Sequence, residues 1–531
     1  MPSWERVVVE STRTDSFAFG VPGTIWTEAA DFAVAVGRLV DLGARHVMLV
    51  GLDLTGLAAS GLGPSGLGSP GLDLAVEEVL ELPDGLLARI ATRMPIDDPR
   101  YPSLTLILPA AAWDEREARD LLGIEPVGHP DPRPLVLHDG GAEHGHPLRR
   151  SPTPETDRKR RHYKPFVAHG EGVYELPVGP IHAGVIEPGH FRFSAVGESV
   201  LYVDARLFYT HRGIEKLVEG RTFEAALPIV ERACGVCTVT HALAYSRAVE
   251  QLAVTEVPPR ARWGRVILAE LERLYNHVSD LGNICAGVGF HFGTSQLGWQ
   301  KERLLRLNEA LVGHRYLTGA IVPGGLRVDL PADALSSLPD EIEAIGHDVR
   351  RLVRHLVRSE SLMARLHGVG VVSQDTAERL GAVGVAGRAS GLARDLRRDR
   401  PYGAYGRLDV PVVTAAAGDV AARFHVRAQE VVVSVALVRE AVARLPAGEH
   451  RVSLVREPVP GTTTLAGVEG PRGPSWLWLS AGAEGTVQRL HLRSASFANW
   501  PVVAAAVPGD LVPDFPLINK SFELCYACTD R

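Results

Sequence analysis

The sequence predicts an α+β protein: a small α/β domain over residues 1–150, a linker over 151–165, and a mainly helical domain built around a helix bundle over 166–531. Three observations carry that prediction. At 531 residues the chain is too long for one ordinary core, since a domain takes about 150 residues. Its first part alternates short β-branched runs with a helical repeat. Its remainder carries long apolar repeats at helical spacing, set off by the polar, proline-containing stretch "SPTPETDRKRRHYK".

The elements follow in chain order. "RHVMLVGL" and "SLTLILP" are apolar runs of strand length, and "DEREARDLLGI" after Trp113 has helical spacing. The Gly/Ser/Pro-rich "GLAASGLGPSGLGSPGL" between them reads as a loop or insertion. Beyond the linker, Ile267, Leu271, Leu274, Val278 and Leu281 repeat at helical intervals, with Glu270, Arg273 and His277 in a stripe beside them. Ile342, Ile345, Val349, Leu352 and Leu356 repeat the signature, and "RFHVRAQEVVVSVALVREAVARLPAG" supplies another long helix ending near Gly448.

Composition narrows the function classes. The net charge of -7 provides no basic field, which argues against nucleic acid as a partner despite the local run "DRKRRHYK". No window of about 18 uninterrupted apolar residues occurs, and the charged start "MPSWERVVVEST" is unlike a signal peptide. A cytoplasmic protein that docks on a membrane subunit is expected. Five cysteines in such a chain do not suggest a disulfide framework.

Four of the five form two C-x-x-C pairs: Cys234 and Cys237 in "ERACGVCTVTH", and Cys525 and Cys528 in "SFELCYACTDR". Two thiolates at that spacing can chelate one soft metal, and Gly235 leaves room for the backbone to wrap it. A structural zinc with four thiolates fits the ligand count equally well. Zinc ribbons, however, bring their pairs together over short loops. Here the helical domain separates them, so a shared metal would sit at its centre. Cys285, in "GNICAGVG", reads as a buried small hydrophobe.

The surrounding residues tip the balance. Arg232 precedes the first pair, His241 follows it by four, Glu215 lies in "HRGIEKL", Glu187 and His190 lie in "GPIHAGVIEPGHFRF", and Arg472 lies in "GPRG". This constellation, R-x-C-G-x-C-x-x-x-H with R-G-x-E and a terminal C-x-x-C, resembles the large subunit of nickel-iron hydrogenases. "LFYTHRGIEKL", "ILAELERLYNHVSDLG", "IVPGG" and "GDVAARFHVR" are similar to the membrane-bound, energy-converting group 4 enzymes of the formate hydrogenlyase type. Those are relatives of the 49 kDa subunit of respiratory complex I. "WDEREARDLLGIEPVGHPDPRPL" resembles the complex I 30 kDa subunit, which is fused to the large subunit in such hydrogenases.

The resemblance implies roles residue by residue. Cys234, Cys237, Cys525 and Cys528 would bind nickel, and Cys237 and Cys528 would also bridge to an iron carrying carbon monoxide and cyanide. Cys525 would take the proton released when hydrogen splits heterolytically. Arg472 would hold its guanidinium over the open metal position, although alone it would read as a surface salt-bridge arginine. Glu187 matches a proton-gate glutamate, although alone it would read as an exposed loop carboxylate. His241 would tune a cysteine sulfur by a hydrogen bond, where a lone histidine is more often a satisfied core residue. His182 and His190 are proton carriers or loop residues, and neither is assigned. Glu215 would help to bind a magnesium or iron near the C-terminus.

The implied partners are an iron-sulfur small subunit, since this chain has no further cysteine clusters; membrane antiporter-like and anchor subunits; and maturation factors. The implied substrates are hydrogen and protons, and the implied location is the cytoplasmic face of the cell membrane, through partner subunits. The family's large subunits are made with an extension that is cut three residues past the last cysteine, the place where Arg531 stands. Three positions depart from the pattern. Glu523 and Leu524 replace an Asp-Pro, and Arg531 replaces a histidine that binds the terminal magnesium, so Glu215 is expected to pair with Arg531 instead. Two other readings compete: a fused NADH-quinone oxidoreductase subunit of the complex I type without hydrogen chemistry, and a zinc-stapled assembly subunit.

Overall fold

The computed structural model describes residues 24–55, 73–138, 145–150, 163–182 and 186–531. The Gly/Ser/Pro-rich stretch and most of the expected linker lie outside those residues. Near the N-terminus, β1 (Ile25–Thr27), β2 (Arg45–Asp53), β3 (Leu74–Glu81) and β4 (Leu87–Met94) form a sheet of order β1-β4-β3-β2. Within this sheet only the β1–β4 pair is parallel. Helix α1 (Ala29–Asp41) covers one face, packing Phe32, Val36 and Leu39 against Leu49, Val76 and Ile90. The other face, with Val47, Val50 and Val79, joins the core of the helical body. A sheet buried on both faces explains the near-continuous apolar run of β2.

Helix α2 (Ala112–Leu122) ends at Gly123, whose φ of 74° gives the left-handed stop that helix C-termini favour. Its acidic residues are buried, against expectation for a charged helix, because each has a partner. Asp114 meets Arg493 at 3.0 Å, and Asp120 accepts the amides of Leu135 and Val136 at 2.7 and 2.8 Å. Glu115 corrects one sequence expectation: "SLTLILP" is not a strand. The Glu115 carboxylate accepts from the Leu104 amide at 2.8 Å and the Thr105 hydroxyl at 2.6 Å, folding the run into a turn with Leu106 74% exposed.

The helical body is organised around α5 (Pro259–Gly287), which α3 (Phe223–Glu231) and α4 (Thr238–Leu252) precede in the chain. Proline at its first position suits the unpaired amide there. Helices α6 (His291–Val312), α7 (Ala332–Leu356) and α8 (Val420–Ala443) complete the bundle. Helix α8 ends at Ala443, before the turn that contains Gly448 and so short of the expected end. Cys285 is fully buried on α5, and burial pushes its thiol up to about 12, as expected of an inert packing residue.

The stripe on α5 is also buried, and each of its residues has a partner, although Arg273 Nε and His277 Nδ1 make no hydrogen bond. His277 Nε2 meets Glu430 of α8 at 2.7 Å, and the other Glu430 oxygen accepts from Arg388 at 2.7 Å. Glu270 accepts from Arg397 at 3.0 Å and from Ser434 at 2.7 Å. Two three-stranded antiparallel sheets flank the bundle: β5 (Val173–Val178), β6 (His190–Val196) and β7 (Ser199–Arg206), then β8 (Thr463–Gly470), β9 (Gly473–Ala481) and β10 (Val487–Arg493). Helices α9 (Ala495–Ala506), α10 (Phe515–Phe522) and the one-turn α11 (Tyr526–Asp530) follow.

Breaking a buried pair leaves the surviving charge unpaired in low dielectric. Glu430→Ala removes the partner of His277 Nε2 and leaves Arg388 to Glu469 and Asp395, and is therefore expected to cost about 3 kcal/mol, read as a lower midpoint in chemical denaturation. A midpoint unchanged from the parent would contradict this pairing.

Candidate metal centre

The fold brings both cysteine pairs together. Cys234 and Cys237 occupy the turn between α3 and α4; Cys525 and Cys528 occupy the start and middle of the α11 turn. Cys234 and Cys525 Sγ are 3.4 Å apart, and the sulfurs of Cys234, Cys237 and Cys528 lie within 4.8 Å of one another. Three of the four cysteines are buried and Cys525 is partly exposed. All four are free thiols.

Four adjoining sulfurs cannot all carry negative charge unaided. Hydrogen bonds from Cys234 and Cys528, with the Arg472 guanidinium, hold the Cys237 thiol down to about 5, while the neighbouring Cys234 sulfur pushes Cys525 up to about 12. Such a donor set, soft and electron-rich, fits a thiophilic transition metal, which would ionise all four.

Arg472 lies in the tight turn between β8 and β9. Its Nη1 donates to Cys237 Sγ at 3.3 Å and to Asn276 Oδ1 at 2.9 Å, and its Nε donates to the Glu523 carbonyl. The Arg472 carbonyl in turn packs where a Cβ on Gly384 would stand, so only glycine fits there, at a φ of 59°. Arg472 therefore touches both cysteine segments. Glu523 is partly buried and pushed up to about 8 by desolvation and by Asp280, and its own φ is 53°.

His241 Nε2 lies 3.4 Å from Cys528 Sγ, and its Nδ1 lies 3.4 Å from the Ser475 hydroxyl. Burial lowers its pKa to about 4, so it is a neutral ring that can donate from Nε2 to the sulfur when Ser475 donates to Nδ1. Glu187 is half-buried, and burial followed by the nearby Cys525 raises its pKa. His182 and His190 make backbone contacts at Pro180 and Gly179, with His182 edge-on to Phe191.

Glu215 is arranged differently from a metal ligand. Although it lies within 4.8 Å of Glu117 and His491, its oxygens meet Arg489 at 2.7 Å, His491 at 3.1 Å and Arg531 at 3.1 Å. Against the cost of burial, the contacts with His491, Arg489 and Arg531 hold its pKa well below the usual carboxylate range. Guanidiniums stand where the resemblance implies a magnesium or iron, and the residues present do not fit that second ion.

One residue escaped the sequence reading. Helix α4 starts at Cys237, which offers no side-chain cap, so its first amides need another acceptor. Glu272 of α5 supplies it, accepting from the Val239 amide at 2.7 Å, the Thr240 amide at 3.0 Å and the Thr240 hydroxyl. One turn along, Asn276 donates to the Val236 carbonyl at 2.9 Å. A cysteine in an N-cap position was the available signal.

Comparison with known proteins agrees with this geometry. Residues 293–459 and 454–531 match the respiratory-chain NADH dehydrogenase 49 Kd subunit family, and residues 70–157 match the 30 Kd subunit family. The segment bearing the first cysteine pair, residues 212–284, matches the nickel-dependent hydrogenase family. Formate hydrogenlyase subunit 5 of Escherichia coli strain K12 is 36% identical over 467 residues, covering 86% of this chain and 82% of that one. This chain belongs to the complex I-related, group 4 hydrogenase large subunits.

Hydrogenase-4 component G of the same organism is 37% identical, over 82% of this hydrogenase and 76% of its own length. Membrane-bound hydrogenase subunit alpha of Pyrococcus furiosus is 31% identical, over 67% and 87%. A chain of an archaeal membrane-bound sulfane sulfur reductase superposes with a TM-score of 0.64 at 28% identity, over 68% of this hydrogenase and 99% of that chain.

Removing the Glu272 cap is expected to loosen the turn bearing Cys234 and Cys237. Glu272→Ala should cost about 1–2 kcal/mol, as lost caps do, and cut the metal retained after dialysis against a chelator several-fold. Metal content equal to the parent's would show that the cap does not hold the turn.

Proposed function

We propose that the four cysteines hold a nickel-iron centre and that this subunit interconverts hydrogen with protons and electrons. The observation supporting the reading is the convergence of two distant C-x-x-C pairs beneath the Arg472 guanidinium, 3.3 Å from Cys237 Sγ. Cys234, Cys237, Cys525 and Cys528 would hold nickel, and Cys237 and Cys528 would share an iron carrying carbon monoxide and cyanide. When bound, such a centre supplies reversible heterolytic cleavage of hydrogen.

The chain's own residues do the rest. Cys525, the partly exposed cysteine of the four, holds the released proton at Sγ. Glu187, with its raised pKa, takes that proton onward, because a carboxyl nearer neutrality both accepts and releases readily. Arg472 keeps a fixed positive charge over the site and orients whatever anionic group lies there. His241 donates to Cys528 and moderates its basicity. Electrons leave through an iron-sulfur small subunit. No helix among the described residues is long and apolar enough to cross a membrane, so attachment would run through membrane subunits.

The deciding experiment is metal analysis with infrared spectroscopy on the purified, matured complex. About one nickel and one iron per chain is expected, with carbon monoxide and cyanide stretches. Zinc in their place, or no metal, would overturn the reading in favour of a stapled assembly subunit or a quinone-reactive complex I-like subunit. A second measurement tests the proton route. Glu187→Gln should lower hydrogen turnover by a factor on the order of 10²–10⁴ with metal content and infrared bands unchanged. Parent-like turnover would remove Glu187 from the route.

A further inference from the structure

Helix α11 is one turn long, too short to be stable by itself, so its orientation is set by whatever holds its ends. At its start the Cys525 amide donates to Ser496 Oγ at 3.0 Å. In its middle Ser494 Oγ donates to the Cys528 carbonyl at 3.0 Å, and Trp500 Nε1 donates to Thr529 Oγ1 at 3.0 Å. At its end Asp530 accepts from the Phe208 and Thr210 amides at 2.8 and 3.0 Å.

Beyond those contacts Arg531 turns inward and is almost wholly buried, with its guanidinium 4.7 Å from the ring centre of Phe497. It binds Glu215 at 3.1 Å and Glu117 at 2.6 Å. Glu117 comes from α2, more than 400 positions earlier in the chain. Helix α2 is a firm mount for it: Asp114, Glu115 and Asp120 tie the helix to β10, to residues 103–105 and to residues 135–137. Glu117 is the one buried acid of α2 whose charged partner is the cysteine-bearing tail, and its second oxygen has no hydrogen-bond partner.

We propose that Glu117 is a positioning residue for the metal site: its ion pair with Arg531 lets the N-terminal α/β region fix the turn that presents Cys525 and Cys528, and so slows metal exchange. The metal-exchange half rests on the proposed four-cysteine centre; the ordering of the tail does not. A buried guanidinium left with one carboxylate in place of two is poorly compensated, and the short turn it anchors opens more often.

The test is amide hydrogen exchange on the full-length chain, free of added metal, for the parent, Glu117→Gln, Arg531→Gln and the double variant. Each single change is expected to speed exchange of the 526–531 peptide on the order of tenfold, leaving α5 and α8 peptides unchanged. The double variant should add little to either single, as coupled residues do. In the isolated complex, Glu117→Gln should also release metal to a chelator on the order of tenfold faster, with Glu117→Asp restoring most of the retention.

Unchanged tail exchange overturns the proposal. So does exchange that rises uniformly across the chain, or singles whose effects simply add. Finding zinc at the site would overturn the nickel-iron reading and leave the exchange result standing, so the two failures are distinguishable.

Discussion

A helix buried on all sides can carry polar residues only if every one of them is paired, and α5 is such a helix. Glu270 and His277 are satisfied by Arg397, Ser434 and Glu430, which fixes α8 against it. Glu272, Asn276 and Asp280 lie toward the cysteines. They cap α4, hold the Val236 carbonyl and face the Arg472 and Arg427 guanidiniums. One helix thus sets both the bundle and the metal turn, so a shift of α5 would move the first cysteine pair with it. This couples stability to function more tightly than a loop-borne site would.

The electrostatics of the centre follow from the same requirement. Four sulfurs demand positive charge; among the described residues Arg472 donates to Cys237 Sγ and Arg212 holds the carbonyls of Ala233 and Ala527 beside the cysteines, with His241 neutral in its buried setting. A bound metal would supply the remainder. Around Glu215 the balance is opposite: Arg489, His491 and Arg531 already surround the carboxylate. Two clusters of ligand-type residues thus invite different occupants: around the single Glu215 carboxylate two guanidiniums leave no charge to offset, whereas four sulfurs outnumber the cations beside them.

Much of this was legible in the sequence, for physical reasons that differ by residue. The long helices announced themselves because one apolar face repeats at 3.6 residues, and the cysteine pairs because two thiols at that spacing have few uses. The pairing of Glu215 with Arg531 followed from a cation standing where a histidine was expected. Illegible were features made by distant acceptors. Glu115 turns "SLTLILP" into a bend from outside that run, and Glu272 caps a helix on another segment. The burial of the acids on α2 had no local signal either, because nothing nearby in the sequence shows that Arg493 and Arg531 come to meet them.

Cys234 and Cys525 are 291 positions apart, which orders events during synthesis. The ribosome delivers the first pair, the bundle and β8–β10 before the second pair exists. Until then Cys234 and Cys237 would be a pair of thiols without the other half of the cluster, a site that copper(I) or zinc would suit as well. A centre assembled from two such distant segments would therefore make metal identity a matter of timing as well as affinity.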